Sequence, residues 1–247
     1  IFWGGNGNRP IINASNGGYA FKVTADASWL KYFELQYSGP NVGDNSGDGG
    51  LVIDDADDVT MSDFEFKYNR HAIKVIQSDD VEIYGPHIWC SGGALKKGLL
   101  AYESNNLHLT YGYYSCASDT GIHLLHGQNS ILEYLSIYDN KIGIQLQSKG
   151  NYLNELTISD NTEVGILFKE AENNTVYDTD IYYNKYGVSF TRGSNNNILT
   201  EVYFDDNDDY DIHHGYDSSS EINGWDNVLI DTEFEDLFID SNSRMLE

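Results

Sequence analysis

Residues 143–170 read GIQLQSKGNYLNELTISDNTEVGILFKE, one complete unit of the chain and the start of the next. The unit opens on Gly143, alternates through Ile144 and Leu146, and turns near Asn151. It alternates again through Leu153, Leu156 and Ile158, turns at Asn161, and restarts at Gly165. Apolar residues at a period of two mark strands with one buried face. No window carries a capped helical stripe.

The same opening recurs on both sides. GIHLLHG starts at Gly121, GILFKEA at Gly165 and GVSFTRG at Gly187, so four units begin 22 residues apart. Asn129, Asn151, Asn173 and Asn195 keep that step, and Asn140, Asn161, Asn184 and Asn207 close the next segment. Looser copies start at Tyr19, Gly50, His71, Gly98 and Asp211. A unit this short cannot bury its own apolar face and must stack on copies of itself. The pattern predicts one all-β domain over residues 1–247, a single-stranded right-handed parallel β-helix of about nine to ten coils. Its hand follows from parallel crossovers, and a coil repeat of ~4.8 Å gives a rod of roughly 45 Å. Ile144, Ile166 and Val188 are expected to form one inward column. The glycines fit sharp corners, and the asparagines fit turns and amide ladders. VEIYGPHIWC aligns without gaps on LHLTYGYYSC, which sets Cys90 and Cys116 on adjacent coils within disulfide reach. Bonded and free thiols both stay open.

Charge narrows the partners. With 39 acidic against 14 basic residues the chain carries −25, which repels nucleic acid and anionic lipid. No apolar run is long enough to cross a membrane. The first residue is Ile1, and the expectation is a secreted or cell-surface protein, part of a longer one or freed of its signal. GDNSGDGG (43–50) and DDNDDYD (205–211) cluster the hard oxygen ligands that Ca²⁺ takes, although acidic turns without metal are commoner. The two cysteines fit no zinc pattern, and Ca²⁺ is the one cofactor left open. Oligomeric state is not legible.

The Gly-Ile strand openings, Asn turns and 22-residue step resemble the parallel β-helix repeat superfamily. That group holds pectate lyases, polygalacturonases, alginate lyases and epimerases, and the carbohydrate-binding and sugar-hydrolysis repeat proteins. A narrower resemblance is to archaeal disaggregatases, which cut a chondroitin-like cell-wall polymer. The resemblance covers roughly residues 11–240. It implies an extracellular enzyme acting on a long, usually acidic polysaccharide bound along the side of the rod. The polygalacturonase aspartates with their His-Gly and Arg-x-Lys motifs are missing, as is the pectate-lyase arginine motif. Catalytic residues therefore come from strand geometry.

In the strand after each Gly, positions two and four point inward and positions three and five outward. The first outward column runs Lys22, Val52, Lys74, Leu100, His123, Gln145, Leu167, Ser189, His213. The second runs Thr24, Asp54, Ile76, Tyr102, Leu125, Gln147, Lys169, Thr191, Gly215, flanked by Asp55, Gln77, Glu103, His126, Glu170 and Arg192. β-Elimination from a uronic acid needs a base, an acid and a neutraliser for the carboxylate. Lys74, Tyr102 and His123 are candidates for base and acid, with Arg192, Lys169 or a bound cation as neutraliser. Hydrolysis needs two carboxyl groups, for which Asp54 or Asp55 with Glu103 are candidates. Gln145, Gln147, Lys169, Arg192 and His126 are read as substrate-binding. Arg70, His71 and Asp119 are read as turn residues of another face. Outward aromatics such as Tyr102 and Trp89 have the character to stack on sugar rings. The competing reading is a non-catalytic carbohydrate-binding, adhesive or surface-layer module.

Overall fold

The computed structural model describes residues 9–14, 18–36, 49–89, 95–214, 227–232, 236–239 and 245–246. Every strand pairing in it is parallel, and no helix appears among the described residues. Three ladders run the length of the rod. The first is a sheet of ten strands, from Tyr19–Val23 to Leu237–Ile239. Its middle is formed by His71–Ile76, Lys97–Tyr102, Thr120–Gln128, Ile142–Lys149, Val164–Lys169 and Tyr186–Thr191. The other two consist mostly of three-residue strands such as Tyr152–Asn154 and Thr157–Ser159. These two ladders join where Thr175–Tyr182 and Ile198–Asp205 run on through corners at Asp178 and Glu201, both at positive φ. The chain is thus the expected right-handed parallel β-helix.

The core is the stack of inward columns. Ile144 pairs with Ile166 and Ile166 with Val188, and all three are fully buried. Aromatic rings continue such columns, with Phe168 and Phe190 stacked at 4.7 Å. The residue before each such position is small because it sits on an inside corner. A Cβ on Gly143 would stand 2.6 Å from the Gly165 carbonyl oxygen and 3.0 Å from Asn161 Nδ2. Gly143→Ala is therefore expected to cost about 1–3 kcal/mol through overpacking. A lowered urea midpoint at unchanged slope would show it, and an unchanged midpoint would refute it.

Two buried amide ladders tie the coils. In one, Asn161 donates to Asn184 Oδ1 (2.9 Å) and Asn184 to Asn207 Oδ1 (3.1 Å), while backbone N–H groups donate to the same oxygens. This is the expected column of Asn140, Asn161, Asn184 and Asn207. The column of Asn129, Asn151, Asn173 and Asn195 needs correction. Asn151 belongs to a buried ladder with Asn174, Asn197 and Asn227. Asn129 and Asn173 are instead corner residues at φ 58° and 55°, and Gly150 takes that corner in the coil between. The corner runs Asn129, Gly150, Asn173, Asn196, so its steps are uneven, and a constant spacing of 22 crosses from corner to ladder and leaves Asn195 one residue before the corner.

The cysteine alignment holds as far as the structure describes it. His87 pairs with Tyr113 and Ile88 with Tyr114, the register that the gapless alignment requires. Cys116 is disulfide-bonded. Cys90 lies outside the described residues, as do residues 43–48 of the first acidic loop.

Candidate active site

The two outward columns of the ten-stranded sheet have the register read from sequence. Lys74 pairs with Leu100, Leu100 with His123, and His123 with Gln145. Tyr102 pairs with Leu125 and Leu125 with Gln147, with Lys169 beside Thr191 one step further on. Depth differs from the sequence reading. Lys74 is 0% exposed, His123 7% and Gln145 8%, so the first column is the floor of the face and not its rim. Tyr102, Gln147, Lys169 and Arg192 are half-buried, and Glu103 and His126 are exposed.

A third outward column was missed. His71, Lys97, Thr120 and Ile142 are paired neighbours at the residue before each corner. Strict alternation would put them inward with Ile73 and Leu99. The small corner residue breaks that parity. Tyr186 of this column lies 5.1 Å, ring to ring, from outward-facing His213 of the next strand. His71 is therefore on the same face as Lys74, which corrects its assignment to a separate turn surface. Lys97 Nζ pairs with Asp119 Oδ2 at 2.7 Å, and the lysine is nearly enclosed while the aspartate is one-third exposed. The missed signal is the repeated polar residue preceding the Gly or Ala.

His71, Lys74, Lys97, Thr120 and His123 thus form a buried polar floor over three strands. Gln147 Oε1 accepts from Gln145 Nε2 at 2.6 Å and faces His123 Nε2 at 3.1 Å. Along the rim, Tyr102 donates its hydroxyl to Glu103, which raises the phenol above its ordinary pKa. The same bond holds the Glu103 carboxyl below its ordinary pKa, helped by the Gln77 amide at 2.9 Å and by His126. The His126 ring meets Tyr102 edge-on at 6.0 Å. His126 sits at a bulge, where the register shifts between Leu125 and Gln128, and has φ 61°. A bulge re-aims a side chain at a sheet rim. Gly127 is required there, because a Cβ would fall 1.9 Å from the Ser104 carbonyl oxygen.

The remaining candidates lie apart. Asp54 is ion-paired with Lys22 at 2.6 Å. It is two strands from Tyr102 along the register, or ~10 Å by strand spacing. Arg192 approaches Glu170 at 3.9 Å. Asp55, Gln77, Glu103, His126, Glu170 and Arg192 all have positive φ, so the flanking residues share one left-handed corner. Among the described residues no group of three or more His, Cys, Asp or Glu side chains comes together as a metal site. In the second acidic loop, Asn207 spends its amide on Ile181 and Asp211.

Residues 41–155 and 114–244 match the family model for a right-handed beta helix region. The chain belongs to that family. No curated protein matches the sequence. Among solved structures the chain is similar to the periplasmic alginate epimerase AlgG, with 18% identity and TM-score 0.67 over 90% of this chain and 60% of that one. It is also similar to DFA-IIIase from Arthrobacter chlorophenolicus, with 12% identity and TM-score 0.68 over 93% of this chain and 66% of that one. A third likeness is the Dettilon tailspike protein, with 10% identity and TM-score 0.67 over 89% and 47%. The chain spans about three fifths of the epimerase's length. At these identities the likeness is one of fold.

Proposed function

We propose that the outer face of the ten-stranded sheet cleaves a uronic-acid-containing polysaccharide outside the cytoplasm, by removing the proton next to the sugar carboxylate and eliminating the glycosidic oxygen. One observation carries the reading. In a chain of charge −25, two buried lysines and two buried histidines gather on one face, within three adjacent strands. Positive charge in that setting answers an anionic ligand, because the surface elsewhere repels it. Lys74 neutralises the carboxylate, which makes the adjacent C–H acidic, while Lys97 stays paired with Asp119 beside it. His123 donates from Nε2 to Gln147 Oε1 at rest, so it takes that proton at Nε2 only after substrate displaces the amide and the ring hydrogen moves to Nδ1. Tyr102, a phenol that is protonated at neutral pH, delivers a proton to the leaving oxygen. Gln145, Gln147, Lys169, Arg192 and His126 line the path on either side.

Hydrolysis by Asp54 and Glu103 is the weaker reading. A glycosidase needs one carboxyl group kept protonated. Glu103 is held below its ordinary pKa, and Asp54 is committed to Lys22. The fold-level likeness to an alginate epimerase supports a polysaccharide as the substrate.

The test is incubation with alginate, polygalacturonate, chondroitin and hyaluronan, reading ultraviolet absorbance and reducing ends together. The expected result is a rise in both with at least one polymer. Reducing ends without absorbance would mean hydrolysis and overturn elimination. No rise in either, with the polymer still bound, would make the chain a binding module.

A further inference from the structure

An aromatic surface lies away from the face just described and takes no part in it. On the adjoining ladders, Trp89 is 50% exposed and Tyr113 47%, with His87 between them. His87 meets Tyr113 edge-on at 5.0 Å and Trp89 at 6.0 Å. Around the next corner stand three more exposed tyrosines. Tyr84 and Tyr111 are 5.3 Å apart, and Tyr111 stacks on Tyr134 at 4.8 Å with the rings nearly parallel. Packing of the core does not need these rings, because the inward partners on the same strands, Ile83, Ile88, Leu109 and Tyr114, are already buried. Five exposed rings and the half-buried His87, in two clusters on either side of that corner, form a surface that calls for a ligand.

We propose that this surface, with Trp89 and Tyr113 at its centre, is a second, non-catalytic binding site for an uncharged polysaccharide. Pyranose rings are apolar on their C–H faces and polar at their rims, as tyrosine and tryptophan are, so each completes the other. Tyr84, Tyr111 and Tyr134 stand on three adjacent coils and His87 and Tyr113 on two, at about the strand spacing, so a linear polymer lying along the rod meets successive aromatic groups over this stretch. Charge selects against other occupants. A chain of −25 repels nucleic acid, anionic lipid and its own copies. Tyrosine and tryptophan contribute no charge, and His87 is held toward its neutral form by desolvation and by Arg9. Hydrogen-bonding groups stand beside the patch, where Glu65 accepts from Arg9 at 3.0 Å and pairs with Lys67 at 3.0 Å. The proposal does not depend on the catalytic reading, and the two can fail separately.

The test is native affinity electrophoresis in gels containing galactomannan, xyloglucan or dextran, with tryptophan fluorescence titrated in parallel. At least one polymer is expected to retard the wild-type chain, and Trp89→Ala with Tyr113→Ala to weaken that binding tenfold or more. Both side chains are on the surface, so the double variant should melt as the wild type does. His123→Ala should bind the uncharged polymer unchanged. The proposal is overturned if no polymer retards the wild type, or if the double variant binds equally well. It is overturned too if only His123→Ala loses binding, or if sedimentation shows a Trp89-dependent dimer in place of a glycan complex.

Discussion

Ile166→Asp is expected to leave no cooperative unfolding transition in the middle of the rod. Ile166 is fully buried and is paired on one side with Ile144 and on the other with Val188. A carboxylate there has apolar neighbours above and below. An unpaired carboxylate in such a site costs several kcal/mol, and taking up a proton still leaves a buried polar group among apolar neighbours. Domains hold only about 5–15 kcal/mol in total. In a stacked fold the damage does not stay local, because each coil is stable only through its two neighbours. Ile166→Val, which trims one methyl group, should cost just ~1 kcal/mol and keep a single transition. Circular dichroism melts with limited proteolysis distinguish the two. Wild-type melting of Ile166→Asp would mean that residue 166 is not in the core.

Much of this fold was legible because a β-helix is the same local decision taken many times. The period-two pattern at Ile144 and Leu146, repeated at Ile166 and Phe168, fixes which side chains face in and aligns neighbouring coils without reference to anything distant. What was not legible is depth and parity. Alternation says that Lys74 faces away from the core, yet it cannot say that the residue is enclosed there. That depends on how side chains from neighbouring strands close over it. Parity fails at each corner, where the small residue at 72, 98 or 121 turns inward together with its successor. His71 and Lys97 are thereby carried to the outer face against the simple count. The Asn129 and Asn151 columns were confused because the steps from coil to coil are uneven, which a constant spacing does not register. The site was half legible for the same reasons. His123, Gln145, Gln147 and Tyr102 came from the outward columns, whereas the Lys97–Asp119 pair lay where the periodic rule assigns nothing to the surface.

His123→Ala is the decisive change for the chemistry, with turnover expected to fall by about 10²–10⁴-fold, the range for a lost general acid or base. The side chain sits on the floor of the face with Nε2 directed at Gln147, and Gln147 stays half-exposed when the imidazole is removed. The loss should appear in kcat beyond any drop in the melt from the cavity, and His123→Gln, which keeps more of the buried volume, separates the two. Tyr102→Phe keeps the ring against His126 and removes only the hydroxyl, and it should lower kcat similarly. Its effect should shrink on a substrate with a better leaving group, which needs less protonation. That separates proton donation from mere packing. Lys74 is a poorer probe, because alanine at a fully buried position opens a cavity, and Lys74→Met keeps the volume while removing the charge. That variant should weaken a carboxylated polymer more than its esterified form. Asp54→Asn and Glu103→Gln serve as the counter-test, since elimination gives neither carboxylate a proton to carry. If those two abolish turnover while His123→Ala and Tyr102→Phe keep it, the reaction is hydrolysis at the rim and the buried cations only hold the fold.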